Sequence, residues 1–524
     1  MKIKEFYILL VAFLLLSCAE NGIDAYTYQP PKKILNENPA SYYLDATSGD
    51  DANDGTSPEN AWKTLNKANM AKYKPGDKLL FKKGEVFVGT LEFTGEGTAE
   101  QRVFIDSYGD GTAMPVISGN GALYAVHVYN STFVTIQNLE ITNKGADYGD
   151  SRVGLIIECQ EFGVSRNIVV NNLFVHDVNG SIHKSTGGAA IRLKNGGQTK
   201  RSRFEDMIIE NCHIKDCTRN GITWSSDYWE RGTNSNKWYP NKNSIVRNNL
   251  IEGVPGDGIV PTGCDNTLIE YNVIRDCTNL IKILPSAAAG IWPWSCDNTT
   301  IQFNEVSGLV TNVDGQGYDA DYNCTNTLIQ YNYSHDNCGG FLLLCDNLDQ
   351  TRYVRQRNPI IRYNISINDG SRQGFGDERC PAILFSGPTI DAVIDHNIIH
   401  TNPKEDSRTD RTMVGIYGAI GYAVNPAFRS NIFYAPEQHD FELGEKPSAF
   451  EGNWYLGDYE NKPEDKQMRT TSDVYRKEVI DIDAKGYKGL CNLMEKRTIG
   501  GKEHYFVKKE AIESFFERME QETE

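Results

Sequence analysis

Three aspartates crowd the phrase Asp314-Gly315-Gln316-Gly317-Tyr318-Asp319-Ala320-Asp321, and two tryptophans stand a short way upstream in Gly290-Ile291-Trp292-Pro293-Trp294. Hydrolysis of a glycosidic bond needs such carboxylates in pairs, one kept protonated as the acid and one ionised as nucleophile or base. On an extended strand Asp319 and Asp321 share a face with Cα atoms ~6.6 Å apart, so their carboxyls reach either the ~5–5.5 Å of a retaining pair or the ~6.5–9.5 Å of an inverting one. Two like charges so placed repel unless one is protonated or a cation is shared. Asp319 and Asp321 are therefore the expected catalytic pair, with Asp314 as assistant or replacement. As part of an Asp-Gly step, Asp314 is equally a turn residue. An indole face stacks on the C–H face of a pyranose, which makes Trp292 and Trp294 the expected sugar platform. The competing reading packs them under the insertion between Asp227 and Asn243.

Further candidates for substrate contact are Trp224 and Asp257 before this phrase and His335 and Asp346 after it. Asp257-Gly258 and a histidine following an Asn also occur as plain turn chemistry. Insertions around Trp229 to Lys242, Asn347 to Asn358 and Asp369 to Arg379 carry Arg231, Arg352, Arg355, Arg357, Arg372 and Arg379, and are expected to wall the cleft.

The elements that position these residues come from a repeat. The pattern apolar, x, x, Asn, apolar, x, apolar recurs with its Asn at Asn138, Asn172, Asn211, Asn249, Asn272, Asn304, Asn332, Asn364, Asn397 and Asn431, at gaps of 23 to 39 residues. Period-2, β-branched segments such as Thr267-Leu268-Ile269-Glu270-Tyr271 make the repeat a coil of short strands rather than a helical or leucine-rich one. A stacked Asn can bond to the turn backbone and to the Asn of the next coil ~4.8 Å away. Cys264, Cys296 and Cys324, with Cys345 as a further member, recur at one place in consecutive coils. Aligned on the glycine that opens each coil, Gly221, Gly258, Gly290, Gly317 and Gly340, the outward pairs read Thr223/Ser225, Val260/Thr262, Trp292/Trp294, Asp319/Asp321 and Leu342/Leu344. This puts the tryptophans one coil from the aspartates.

With these residues in view the chain resembles the right-handed parallel β-helix superfamily of secreted polysaccharide lyases and glycoside hydrolases. The coil repeat over about residues 120–435 carries the resemblance. So does the stretch Tyr42-Tyr43-Leu44-Asp45, Asp54-Gly55-Thr56-Ser57-Pro58, Ala61-Trp62-Lys63-Thr64-Leu65 and Pro75-Gly76-Asp77, which is similar to the segment that opens many of these enzymes. The resemblance implies an all-β parallel β-helix that acts on a polysaccharide or complex glycan, and it leaves the reaction open because this fold hosts several chemistries. Hydrolysis through the aspartates leads and needs no cofactor. In a second reading Asp314, Asp319 and Asp321 hold calcium while Lys282 takes the C5 proton of a uronate, as lyases of the superfamily divide the work. A third reading is a non-catalytic glycan-binding protein that uses the tryptophans alone.

The expected organisation is a leader over 1–18, an N-terminal capping segment over 19–119, the catalytic β-helix over 120–450 and a small charged C-terminal cap over 451–524. The cap ends in an amphipathic helix with Ile512, Phe515, Phe516 and Met519 on one face, laid over the exposed last coil. Lys2, Lys4, the apolar run Phe6 to Leu16 and Leu15-Leu16-Ser17-Cys18 resemble a bacterial lipobox with Cys18 lipidated. A monomer tethered to the outer membrane by that lipid, facing periplasm or cell surface, is expected. Eleven cysteines after Cys18, none in a CxxC pair, point to buried thiols, with Cys212 and Cys217 the one candidate bridge. A net charge of −17 excludes nucleic acid held on a broad basic surface.

Overall fold

The computed structural model describes residues 36–235, 237–370, 380–401, 411–470 and 492–522. The lipobox with Cys18, and Arg372 and Arg379 of the third insertion, lie outside the described residues. The period-2 segments stack as parallel strands. One sheet of fourteen strands runs from Ser41–Leu44 through Lys78–Lys82 and Val103–Tyr108 to Ala449–Glu451. A second sheet climbs from Leu91–Phe93 to Asn220–Ser226 and Ile259–Val260. Bridges from Ile259 to Ile291 and from Ile291 to Tyr318 carry it on to Tyr318–Ala320, Leu342–Cys345, Ile383–Ser386 and Thr412–Tyr417. A third sheet flanks it and includes Leu250–Glu252, Glu305–Ser307, Tyr333–His335 and Trp454–Tyr459. The chain is a parallel β-helix.

Each inward position meets the same position one coil away, so the core is a set of files. Ile222, Ile259, Ile291, Tyr318, Leu342 and Ile383 form one such file in the second sheet, all fully buried. Burying each of these side chains contributes roughly 2 kcal/mol, and the β-branched ones suit the pleated surface.

The turn after the fourteen-strand sheet is held by asparagine amides. The Nδ2 of Asn249, Asn272, Asn304, Asn332, Asn364, Asn397 and Asn431 each donates to the Oδ1 of the next member at 2.9–3.0 Å, and the file ends at Asn453. Asn138, Asn172 and Asn211 do not belong to it. They sit one residue earlier, in the left-handed position of the turn, and Asn172 and Asn211 are bonded along the exposed edge. Leu139, Leu173 and Cys212 occupy the inner site in those coils, and the Cys212 N–H already donates to Asn249. Asn tolerates the left-handed conformation and suits both places, so the sequence phrase ran them together. In the coil of Asn249 the left-handed site is Asn248, and from Asn272 onward it passes to Tyr271, Phe303, Tyr331 and Tyr363, which stack with centroids 5.0–5.5 Å apart.

Cys264, Cys296 and Cys324 do stack: Cys264 and Cys296 pair in neighbouring strands of a further, five-stranded sheet that precedes the fourteen-strand one, and Cys296 N–H donates to Cys324 Sγ. Cys345 is not the next member. The bridge from Thr325 to Arg357 places Gln356 over Cys324, and Thr389 follows with a 2.6 Å bond to Gln356. All ten described cysteines are free, Cys212 and Cys217 among them, and nine are buried.

The coils extend beyond both expected boundaries. Residues 36–119 supply strands to all three sheets, and the helix Leu65–Asn69 buries Leu65 and Ala68 in the common core. At the other end Asn453 and Trp454–Tyr459 continue the stack past 450. The C-terminal segment covers the last coil only in part: Asp465 and Arg469 bridge to Phe450 and Trp454 there, and the Asp465 carboxylate accepts from Asn453. Its helix Lys509–Glu522 does bury Ile512, Phe515, Phe516 and Met519, but against Tyr333, Ile365, Ile398, Ile432 and Trp454 on the flank. The hairpin of Met494–Ile499 and Lys502–Val507 reaches back as far as Glu252, which takes a 3.1 Å bond from Lys502. The third sheet has an apolar outer face there, and a lateral strap hides more of it than an end cap would.

Asn332 donates to Ile301 O and Asn364 Oδ1 and accepts from both N–H groups of Asn304. Asn332→Ala leaves several buried polar groups unpaired and is expected to lower stability by about 2–4 kcal/mol in urea unfolding.

Candidate active site

The outward rows of the second sheet follow from its register. Thr223 pairs with Val260, Trp292 N–H donates to Ile259 O, Asp319 N–H donates to Ile291 O, and Asp319 pairs with Leu343. One row therefore reads Thr223, Val260, Trp292, Asp319, Leu343, and the row two residues on reads Ser225, Thr262, Trp294, Asp321, Cys345. The tryptophans lie one coil from the aspartates, as the spacing predicts. The fifth coil departs from expectation. Leu342 and Leu344 are fully buried inward residues, because Phe341 rather than Gly340 stands in the place of the opening glycine and accepts from Tyr318 N–H. Gly340, at φ +112°, absorbs the extra residue in a conformation that only glycine takes readily.

Asp257 is a positioning group rather than a surface one. Its buried carboxylate pairs with the buried Arg219 at 2.9 Å and accepts from the Trp292 indole N–H at 3.0 Å and from Ala289 N–H. Arg219 is held in turn by Ser286 Oγ and Ala287 O. Lys184, an exposed residue that sequence reasoning passed over, places its ammonium 5.3 Å from the Trp292 ring centre.

Trp294 packs under loops, so for this residue the competing reading holds. Its ring lies 5.0 Å from Trp229 and meets Tyr322 edge-on at 5.9 Å, while Tyr353 stacks on Trp229 and Arg352 covers Trp229. The two insertions are zipped together by backbone bonds from Arg231, Gly232 and Thr233 to Arg352 and Gln350. They are clipped to the coils by Arg231 on Asp297 and by Ser295 and Asn323 on Trp229 O. Asp346 belongs to this scaffold. Fully buried, it holds Arg355 at 2.6 Å and Gln356 N–H, which leaves it no role as a sugar contact.

Two other candidates are displaced. Trp224 is 3% exposed and lies in the core file, as the fourth residue of its strand must. His335 belongs to the third sheet, between Asp336 and Glu305, where the Glu305 carboxylate also accepts from Tyr505 N–H of the strap. Those carboxylates outweigh burial and lift His335 to about 9, and the same contacts hold Glu305 down to about 2. It anchors the strap.

The three aspartates meet as expected, but in unequal settings. Asp319 is 4% exposed, and its Oδ1 has no hydrogen-bond partner among the described residues. Burial, then the charges of Asp314, Asp321 and Asp257, push its carboxyl far above the usual range, against a smaller opposing effect of Lys184. Asp321 is raised to about 7, by burial first and by Asp314, while Tyr322 N–H at 2.7 Å, Lys184 and Cys345 pull the other way. Asp314 closes the strand Thr311–Asp314 in a left-handed turn at φ +61° and is half-buried. It is both a turn residue and a member of the cluster. Lys282 is exposed ahead of the strand Leu284–Ala288, and the lysine whose charge reaches Asp319 and Asp321 is Lys184. Among the described residues no three His, Cys, Asp or Glu side chains converge as metal ligands.

No family model matches the chain. A lacto-N-biosidase of Bifidobacterium longum subsp. longum is 28% identical to it over 540 aligned positions, which cover 85% of this chain and 32% of that protein. The chain thus spans about a third of that relative's length. Crystal structures of a GH136 lacto-N-biosidase from Eubacterium ramulus superpose with TM-scores of 0.61 and 0.57, at 28% and 27% identity. They cover 75% and 74% of this chain and 67% and 68% of the solved ones. The fold is that of the parallel β-helix carbohydrate-active enzymes.

A cleft of about 240 Å³ opens under the hairpin, lined by Asn211, Cys212, His213, Asn248 and Arg497 to Gly500. It has no carboxylate in its lining and lies on the strap side, away from the aspartates.

Asp321 keeps its proton in the fold up to about pH 7, whereas in the unfolded chain it ionises above about pH 4. Between those limits each rise in pH favours unfolding, because the unfolded state has already released the proton. Asp321→Asn is therefore expected to be as stable as the parent near pH 4 and to gain on it by about 2–4 kcal/mol by pH 7, then to level off. Thermal unfolding across that range measures the difference.

Proposed function

We propose that this chain is a glycoside hydrolase acting on an oligosaccharide or complex glycan, with Asp321 as the acid and Asp314 as its ionised partner. The observation that carries this assignment is the Asp321 carboxyl, lifted to about 7 by burial and by Asp314 beside it. Glycosidic cleavage needs one carboxyl kept protonated next to a second one. Asp319, expected from the sequence to be half of the pair, is too deeply desolvated to serve as the ionised member. Burial first, then Asp314, Asp321 and Asp257, disfavour a charge on it. Trp292, fixed edge-on by Asp257, offers the sugar platform. The neighbouring outward positions Val260, Thr262 and Leu343 are 5–7% exposed, so the site is closed along the coil axis and takes a glycan by its end. The lacto-N-biosidase relatives make a lacto-N-bioside the first substrate to try.

The same reading needs no metal and works as a monomer. The lipobox phrase ending at Cys18 supports export and tethering to the outer membrane.

Purified protein lacking residues 1–18 is incubated with a chromogenic lacto-N-bioside and with a panel of neutral and uronate glycans. Release that survives chelator and falls by about 10³-fold in both Asp321→Asn and Asp314→Asn is expected, with a smaller loss in Asp319→Asn. Full activity in Asp314→Asn and Asp321→Asn overturns the assignment. Unsaturated uronate products that require calcium overturn hydrolysis itself.

A further inference from the structure

We infer that the fourteen-strand sheet packs face to face on the same sheet of a second copy of this chain, turned end for end about a two-fold axis that runs along the strands between Gln302 and Gln330. From Val169–Asn171 to Ala449–Glu451 this sheet has ten strands of three residues each, stacked without a shift of register. The middle residue of each strand, as in Ile269, Ile301 and Ile329, is buried in the core. The first and third residues therefore point outward, in two straight rows. The first row runs Ile245, Leu268, Thr300, Leu328, Ile360 and Val393 through its central coils, with apolar residues beyond both ends. These side chains are half-buried, and Ile360 is 38% exposed. They stand outside the core and outside the residues that the strap covers. A continuous apolar strip of this length on a surface marks an interaction site.

The order of charge in the third-residue row selects a second copy as the partner. That row reads Arg247, Glu270, Gln302, Gln330, Arg362 and Asp395. Gln302 donates to Glu270, Gln330 to Gln302 and Arg362 to Gln330, each at 2.9 Å, so the row is held in line before any partner arrives. Counted outward from the two glutamines, each charge has its opposite at the same distance on the other side. Glu270 answers Arg362, Arg247 answers Asp395, and one coil further Glu210 answers Arg429. A copy turned end for end therefore lays opposite charges on one another along the whole row, while the first row lays Leu268 on Ile360 and Ile245 on Val393. Two copies set side by side in the same sense would meet each charge with itself. The end-for-end contact is self-complementary and closed, so it stops at two chains. The strip is roughly 43 Å long and about 15 Å wide, and two copies bury on the order of 1,200 Å² in all, the lower end for specific association. The aspartates lie on the second sheet, so each copy keeps a complete site and cleavage needs one chain.

Sedimentation velocity of protein lacking residues 1–18 over a range of concentrations tests the pairing. The parent is expected to form a reversible dimer, half dissociated at roughly 10 µM. Arg362→Glu meets Glu270 of the other copy with a like charge at two symmetry-related places and is expected to weaken the dimer about tenfold. Adding Glu270→Arg to it restores opposite charges and is expected to bring the dimer back. Ile360→Glu, at an exposed position, is expected to leave monomers that unfold at the same temperature as the parent. A parent that stays monomeric at 100 µM, roughly tenfold above the expected midpoint, overturns the inference, whether the strip is then bare or covered by another segment or protein. A dimer that neither Arg362→Glu nor Ile360→Glu weakens is formed by another face and overturns it too. A dimer lost in Arg362→Glu and not regained in the double variant overturns the end-for-end register.

Discussion

The structure depends on coils that stay in register from one to the next. In a parallel stack each backbone group bonds to the same group ~4.8 Å away, and nothing in a repetitive apolar file by itself forbids a slip of one residue. The amide file from Asn249 to Asn453 supplies that restriction. Each buried Asn fills a place where only a side chain with both donor and acceptor can satisfy its neighbours, and the turn backbone bonds to it as well. A register fixed at the turn is inherited by the second sheet, and this is why Trp292 and Asp319, far from any asparagine, stand in one row.

Desolvation then decides what the row can do. Three carboxyls in water would all be ionised at neutral pH. Here the depth of each in the stack, together with its neighbours, separates them. Asp319 is deep and its carboxyl is pushed far up, Asp321 is raised to about 7 against a few donors, and Asp314 stays in the half-exposed turn. The loops add to this. The zipped insertions around Trp229 and Tyr353 cover Trp294 and Tyr322 beside Asp321, and the buried pair of Asp257 with Arg219 fixes Trp292 on the other side.

The strap shows how a charged C-terminal region can be structural without sitting at the end of the solenoid. Its helix covers an apolar flank, and its hairpin bonds to Glu252 and Glu305, two carboxylates that His213, Arg275 and His335 already hold on the coils. His335, which has the composition of a catalytic residue, is engaged there.

The sequence alone determined the parallel coil, the placing of tryptophans one coil from aspartates, and the unbridged state of the described cysteines, nine of ten of them buried. These follow from periodicity and residue type, which are local properties. It misplaced Asn138, Asn172 and Asn211 by one residue, because Asn suits both the left-handed turn and the amide file. It set the fifth coil one residue out, because an extra glycine in a turn leaves the alternation of the following apolar run unchanged. Only the tertiary structure decided that Asp346 and Asp257 are spent on arginines, that Lys184 comes to Trp292 beside the cluster, and that Asp319 and Asp321 are both buried. Burial depth and the approach of segments more than a hundred residues away set those outcomes, and neither is written in the spacing of Asp-x-Asp.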